Sequence, residues 1–253
     1  MHILVDIGNT NILFGKVDNL NLVEQLRIET KVFDKDISKV DSETYTKIHN
    51  FIGNDCSDFF ISGVVPDTIL ILINFMKNFQ DLNIVEIDNK YLGNLIKVDV
   101  DMPDEVGVDR LINSYAGLNL YNGPLIIIDF GTATTFDIVK KGSYVGGVIS
   151  PGINLSILNL HKATALLPKL ILKKKQRSFG KNTQEALNAG FLWGYEGLIN
   201  NIIKKIVKNS KNKYKIILTG GHAVLFKKFI NKNTVIDQNI TIKGIATAFR
   251  EIL

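Results

Sequence analysis

The sequence predicts an α/β chain made of two similar domains, each a mixed sheet covered by helices. Three observations carry this. A length of 253 residues accommodates two domains of about 120 residues each. After an opening set of three strand-like apolar runs, short apolar runs alternate with longer stretches of helical period. Finally, the opening stretch recurs near the middle of the chain, and an internal repeat is a stronger signal than either copy. Met1–Val17, MHILVDIGNTNILFGKV, and Pro124–Gly152, PLIIIDFGTATTFDIVKKGSYVGGVISPG, share one layout. Both read apolar run, Asp, one apolar residue, Gly, small polar turn, apolar run.

Composition narrows the class. Hydrophobic residues make up 45% and charged residues 22%, so a core is available and disorder is not expected. No apolar run reaches the ~18 residues of a membrane span, so no membrane partner is expected. Met1-His2 leads directly into a strand, which predicts no signal peptide. Cys56 is the only cysteine, which excludes an intrachain disulfide and fits a reducing cytoplasm. His2, His49, His161 and His222 lack metal-ligand spacing and read as surface or structural. The net charge of +5 is nearly all lysine, because Arg27, Arg110, Arg177 and Arg250 are the only arginines. Lys173–Lys175 and Lys204-Lys205 fall in or beside predicted helices and read as solvated faces. That argues against a nucleic-acid partner, which would draw on arginine forks and interleaved aromatics. The excess can still gather anionic substrates.

Taken in order, Ile3–Val5, Ile12–Val17 and Leu22–Glu29 predict strands, with a turn at Asp18–Leu20. Ser42–Asn54 predicts a helix capped by Ser42. Phe59–Val65 is a strand ended by Pro66, and Thr68–Phe79 a helix apolar nearly all round, hence well buried. Ile84–Ile87 is a short strand, Leu92–Val100 extended or loop, and Leu111–Leu120 a helix with Gly107–Arg110 at its start. Asn122-Gly123-Pro124 punctuates the chain and divides it into domains 1–121 and 122–253. The second half repeats the plan. Three strands lie in Leu125–Ile149, and Ser150–Gly152 is a turn. Helix Ile153–Leu160, basic loop Pro168–Ser178, long helix Thr183–Val207 and strand Tyr214–Leu218 follow. Helix Ala223–Ile230, short strand Val235-Ile236 and closing helix Gly244–Leu253 complete it.

The repeated turns carry the chemistry. Each places a carboxylate, a glycine and several hydroxyls or amides after a strand. A phosphate with a cation needs that set. Backbone N–H groups approach phosphate oxygens only where glycine leaves room, and the carboxylate is a hard-cation ligand, direct or through water. The repeat therefore predicts two domains facing each other across a nucleotide. Neither GxxxxGK[ST] nor GxGxxG occurs, so phosphate binding falls to these turns. Gly220-Gly221 after an apolar strand is a third place for close backbone approach, or a plain strand-to-helix turn. At Gly107-Val108-Asp109-Arg110, a helix-start Asp is accounted for by capping and the helix dipole. Arg at the positive end of the dipole is not, and a facing anion would account for it. Arg can hold a carboxylate bidentately, and Asp can take a proton from a nucleophilic hydroxyl. Together they suit an acceptor bearing a carboxylate and an alcohol. Gly180-Lys181-Asn182-Thr183 reads as a helix cap by Asn182 or Thr183, with a possible second use as donor to a substrate.

Six runs in order now resemble one family. They are DIGNTN at Asp6–Asn11, GVDR at Gly107–Arg110, DFGTATTFD at Asp129–Asp137, GGVISPG at Gly146–Gly152, GKNT at Gly180–Thr183 and TGG at Thr219–Gly221. The chain resembles the type III pantothenate kinases, of the acetate and sugar kinase, Hsp70 and actin superfamily. The resemblance implies two ribonuclease H-like, actin-like ATPase domains with the nucleotide cleft between them. It implies phosphorylation of pantothenate from ATP, the first step towards coenzyme A, in a cytoplasmic homodimer. Carried over, Asp6, Ile7, Gly8, Asn9, Thr10, Asn11, Ile12 and Leu13 would contact ATP and Mg²⁺, with Asp6 reaching the metal directly or through water. Thr132 would touch ATP, and Gly220-Gly221 would lie on the adenosine side. Asp129 would hold a monovalent cation, K⁺ or NH₄⁺. Gly107, Val108, Asp109 and Arg110 would form the pantothenate site, with Asp109 as proton acceptor. Thr183 would reach pantothenate from the partner subunit. One departure stands out: Val100 occupies a position where the family often has tyrosine. The resemblance leaves room for a kinase of the same fold acting on another small hydroxy acid, or for a transcription accessory protein.

Overall fold

A computed structural model describes residues 1–18, 21–33, 40–53, 56, 58–77, 83–174, 177–208, 210–211, 213–230 and 233–251. The predicted turn at Asp18–Leu20, the helix ends at Asn54, Phe79 and Leu253, and Lys175 of the lysine run extend outside the described residues. The chain forms two compact units. Met1–Asn122, Gly142–Tyr144 and Asn239–Leu253 make the first, and Gly123–Lys141 with Val145–Gln238 the second. These units differ from a division at 121/122 in one main respect. The C-terminal helix, read from sequence as the close of the second domain, packs in the first unit.

In the first unit, β1 (His2–Ile7), β2 (Asn11–Asp18) and β3 (Asn21–Glu29) form an antiparallel meander, and β4 (Asp58–Gly63) and β5 (Asn83–Glu86) add in parallel on the other side of β1. The sheet order is β3-β2-β1-β4-β5. Because side chains alternate across a strand, β1 feeds two cores. Ile3, Val5 and Ile7 join a cluster with Ile48, Phe51, Leu72 and Phe75 from α1 (Ser42–Ile52) and α2 (Pro66–Met76). Leu4 joins Leu111, Ile112, Tyr115 and Ile245 from α4 (Val108–Leu120) and α8 (Ile240–Phe249) on the opposite face. Asp6 shares the parity of Leu4 and so lies on the α4 face.

Local signals correct several expected boundaries. Asp41 caps α1, accepting the Thr44 N–H at 2.8 Å, and Ser42 is the first helical residue. Pro66 starts α2 and does not end β4, because proline lacks the N–H that the first helical turn leaves unused. Leu70 on α2 is 61% exposed, so that helix buries one face only. The Leu92–Val100 stretch, expected to be irregular, overlaps α3 (Asn89–Gly93), capped by Asp88, and contains the two-residue β6 (Lys97–Val98). β6 pairs with Ser143–Tyr144 within the first unit.

The second unit repeats the topology. β7 (Leu125–Phe130), β8 (Ala133–Lys140) and β9 (Ser143–Pro151) form the meander, and β10 (Lys215–Gly220) and β11 (Thr234–Ile236) add in parallel beside β7. The order β11-β10-β7-β8-β9 has the connectivity of the first sheet. α5 (Ile153–Lys162) and α6 (Thr183–Val207) pack over one face with α7 (Ala223–Phe226), burying Ile128, Phe136, Ile153, Leu192, Leu218 and Phe226. The helix expected over Ala223–Ile230 is shorter, giving way to a 3-10 turn at Lys227–Phe229. Among the described residues no helix is long and apolar enough to cross a membrane.

The α4–α8 contact is set by one glycine. A Cβ on Gly244 of α8 would lie 2.6 Å from Ile112 Cγ2 and 2.7 Å from the Ile112 carbonyl. In an isolated helix, Gly→Ala gains about 1 kcal/mol. Here overpacking, typically about 1–3 kcal/mol, opposes it. Gly244→Ala should therefore lower the urea midpoint of unfolding, and a raised midpoint would show that the two helices part without cost.

Candidate active site

In the first unit, β1 delivers Asp6 to a tight turn. The Gly8 N–H donates to the Asn11 carbonyl at 2.9 Å, and a Cβ on Gly8 would meet that carbonyl oxygen at 3.2 Å. Buried Thr30, just past β3, braces the turn from outside. Its hydroxyl donates to the Gly8 carbonyl at 2.6 Å and its N–H to the Thr10 carbonyl at 3.0 Å. Asn9 and Thr10 are exposed, while Ile7, Ile12 and Leu13 sit in the cores. Contacts of those three apolar residues with a ligand would have to run through the backbone.

α4 brings the second carboxylate. Its cap, Gly107, contributes no side-chain bond, so Asp109 is not the N-cap that one reading of the sequence offered. The Arg110 N–H donates to Asp109 Oδ1 at 2.9 Å, folding the carboxylate back over the helix start. A Cβ on Gly107 would lie 2.6 Å from that oxygen, which makes glycine the residue that fits there. The Arg110 guanidinium lies 5.8 Å from the centre of the Tyr144 ring, within cation–π range. Val108 is a core residue.

Asp6 feels the charge of Asp109. Asp6 is half-buried at the end of β1, and its pKa is raised from 3.8 to about 7. Burial is the largest cause, the Asp109 charge adds to it, and the Arg27 charge opposes it. Asp109 is also pushed up by burial, against the pull of the Arg110 N–H and charge. Two enclosed carboxylates at the positive end of a helix form a site that stabilises bound cations and can take up a proton. Among the described residues no three His, Cys, Asp or Glu side chains converge as a metal cluster. The donor set therefore fits Mg²⁺, a hard cation that keeps several waters and takes one or two protein carboxylates beside substrate phosphate.

In the second unit, glycines converge on the turn after Asp129. In the sheet Asp129 is flanked by Thr135 and Thr219. Gly220, with φ of 80°, has a Cβ position that would overlap Asp129 Oδ1. The Gly221 N–H donates to the Phe130 carbonyl at 3.1 Å, and the Gly152 N–H to the Thr132 carbonyl at 3.0 Å. A Cβ on Gly152 would meet the Gly131 carbonyl at 2.5 Å. Asp129 with neighbouring carbonyls and threonine hydroxyls is an all-oxygen donor set, which suits a hard monovalent cation. Thr132 itself is exposed.

Thr183 opens α6. Asn182 caps it, accepting the Glu185 N–H at 2.9 Å, and Glu185 Oε2 accepts the Lys181 N–H at 2.9 Å, completing a capping box. Exposed Thr183 lines an apolar cavity of ≈ 570 Å³ with Pro151, Gly190, Phe191 and Tyr195. Tyr195 donates to the Pro151 carbonyl at 3.0 Å. A second cavity, ≈ 820 Å³, touches Gly107 and Val108 in the first unit, but its wall is acidic: Glu86, Asp88, Asp104 and Glu105 face a single Lys90. That balance does not suit a carboxylate-bearing acceptor, and neither Asp109 nor Arg110 lines it. His2 contacts Asp58 at 3.1 Å, His161 contacts the Leu167 carbonyl at 2.7 Å, and burial lowers the pKa of His222. Reasoning from sequence missed Thr30 and Arg27, whose place is visible only through strand register.

A repeated meander with parallel additions, each copy presenting an Asp-x-Gly turn, gives the chain an actin-like fold. Solved structures share the fold. A Campylobacter jejuni protein named for the Baf family of transcriptional activators is 20% identical, with 99% of this chain and 98% of that one aligned at a TM-score of 0.62. The activator of 2-hydroxyisocaproyl-CoA dehydratase from Clostridium difficile, solved with ADPNP, is 12% identical over 99% and 96%, at 0.55. Sequence resolves the family: the chain belongs to the type III pantothenate kinases, whose family model matches residues 2–205. The type III pantothenate kinase of Sulfurihydrogenibium sp. (strain YO3AOP1) is 36% identical over 97% of this chain and 98% of its own length. That of Pelagibacter ubique (strain HTCC1062) is 38% identical over 98% of both.

The raised pKa of Asp6 has a thermodynamic consequence. A carboxyl held at about 7 in the fold and 3.8 when unfolded keeps its proton longer in the folded state. Its contribution is favourable below pH 3.8 and is lost as pH rises towards 7, by at most about 4 kcal/mol. Asp6→Asn should remove that loss. In metal-free buffer with chelator, urea midpoints of the variant and the parent should diverge steadily from pH 5 to pH 7, the variant being the more stable. Parallel midpoints would mean that Asp6 ionises freely in the folded protein.

Proposed function

We propose that the protein phosphorylates pantothenate from ATP, the first step of coenzyme A synthesis. The observation that carries this is the pairing of Asp109 and Arg110 at the start of α4, with Asp6 within the field of Asp109, in a chain of this family. Pantothenate has a primary alcohol and a carboxylate. Arg110 pairs with the carboxylate. Asp109, basic through burial, accepts the hydroxyl proton as the oxygen attacks the terminal phosphorus of ATP. The new P–O bond forms as the bond to the β-phosphate oxygen breaks, giving the phosphate ester and ADP. Little covalent help is needed, so positioning and charge neutralisation account for most of the rate. Exposed Asn9 and Thr10 of the first turn meet the phosphate oxygens, as exposed Gly131 and Thr132 do in the second unit. Asp6 would hold Mg²⁺ and Asp129 would hold K⁺ or NH₄⁺, and bound there these cations would supply neutralisation of phosphate charge.

The working form is a homodimer. In the second unit Leu166, Ile171 and Phe179 are 92%, 79% and 71% exposed, and Thr183 lies on the rim of the apolar cavity beside α6. Such apolar exposure favours a partner surface. The buried free thiol of Cys56 is compatible with the cytoplasm.

The test is turnover of pantothenate with Mg²⁺ and ATP, first in K⁺ and then in Na⁺ buffer. Turnover that requires K⁺ supports both the reaction and the role of Asp129. Asp109→Asn should retain ATP binding and lose on the order of 10²–10⁴-fold in kcat, the usual worth of a general base. Full activity in that variant would remove Asp109 as base, and no turnover by the parent in either buffer would remove pantothenate as acceptor.

A further inference from the structure

We infer that Arg27, on the outer strand β3, binds the terminal phosphoryl group of ATP during transfer; this rests on the phosphoryl-transfer reading above. Sheet register is the basis. Asp6 pairs with Leu13 across β1 and β2, and Leu13 pairs with Arg27 across β2 and β3. Directly opposed residues on neighbouring strands share a face. Arg27, Leu13 and Asp6 therefore form one row on the α4 face, spanning two strand spacings, about 10 Å. A long guanidinium side chain over Leu13 covers much of that distance. Its charge is already felt at Asp6.

The other cations nearby are occupied or point elsewhere. Lys16 lies over Phe51 on the opposite face, Lys31 pairs with Glu29, and Arg110 lies over Tyr144. Arg27 is exposed and forms no ion pair with a carboxylate among the described residues. The strand carrying it is fixed to the phosphate turn, because Thr30 bonds to the Gly8 and Thr10 carbonyls. The site has two carboxylates, and ATP brings a further dianionic phosphoryl group. A guanidinium in the same row as Asp6 offsets charge where bonds are made and broken, the role of a cis arginine in phosphoryl transfer.

The test uses the full chain with Arg27→Gln and Arg27→Lys. Expected for Arg27→Gln is a fall of on the order of 10²-fold in kcat with the KM for pantothenate unchanged. Calorimetry should show about tenfold weaker binding of a non-hydrolysable ATP analogue, with ADP binding unaltered. Lysine should restore part of both losses, and added guanidinium ion should partly rescue Arg27→Ala. Equal weakening of ATP analogue and ADP, or an unchanged kcat, would overturn the inference. If the parent fails to phosphorylate pantothenate, the acceptor reading falls while the comparison of analogue with ADP still decides the role of Arg27. A merely structural role would instead lower the melting temperature and escape guanidinium rescue.

Discussion

Two carboxylates held close together at low exposure are the constraint on which the first unit turns. Burial and the Asp109 charge raise Asp6 well above the usual carboxylate range, and burial also raises Asp109. A fold keeps such a pair only if the surrounding structure compensates. It does so with backbone dipoles at the start of α4, with the guanidinium of Arg110, and with the charge of Arg27 from the edge of the sheet. On the proposed reading a bound cation would relieve that repulsion, so stability and ligand binding would draw on the same electrostatics.

The meander supplies the geometry twice. In each unit a central strand ends in Asp-x-Gly and doubles back through a turn with exposed polar residues. Close approach of backbone is the common requirement, and it is met locally in different ways. In the first unit Thr30 braces the turn through two hydrogen bonds. In the second, Gly152 and Gly220 crowd in where a Cβ would overlap neighbouring atoms. The family runs TGG and SPG thus have a packing explanation independent of any ligand. The same is true of GKNT, where Gly180 lies against the backbone of Ala186 and Asn182 caps α6.

Much of this was legible in the chain. The strand meander, the helix Thr183–Val207 and the repeat stand where periodicity put them, because apolar alternation and turn chemistry are local signals. The misplaced ends are also instructive. Pro66 stops a strand and starts a helix with equal ease, and only the packing of α2 decides. Asp41 and Ser42 are both good caps, so the first helical residue was off by one. The assignment of α8 to the first unit was not legible, because nothing local in its sequence names the surface that Gly244 must approach. Within the site, Asp6, Gly107 and Asp109 stood out by residue type and position. Arg27 did not, since its relation to Asp6 runs through Leu13 and two strand pairings rather than through sequence spacing.

The fold alone does not choose an acceptor. It is shared at 20% identity or less with proteins named for transcriptional activation and for activating a dehydratase. The choice of acceptor must come from an element added to the meander, and on the proposed reading that element is the first turn of α4. Gly107 lets the Asp109 carboxylate fold back over the helix start, and Arg110 follows it directly. On the proposed reading, a proton acceptor and a carboxylate partner stand on adjacent residues of one helix. An alcohol too far from its own carboxylate, or lacking one, would then leave either Asp109 without its hydroxyl or the half-buried Arg110 guanidinium without the substrate anion. The second penalty is the larger, since a desolvated charge loses more than a neutral group. Discrimination should therefore be sharpest against alcohols that carry no carboxylate, and weaker among hydroxy acids of similar span.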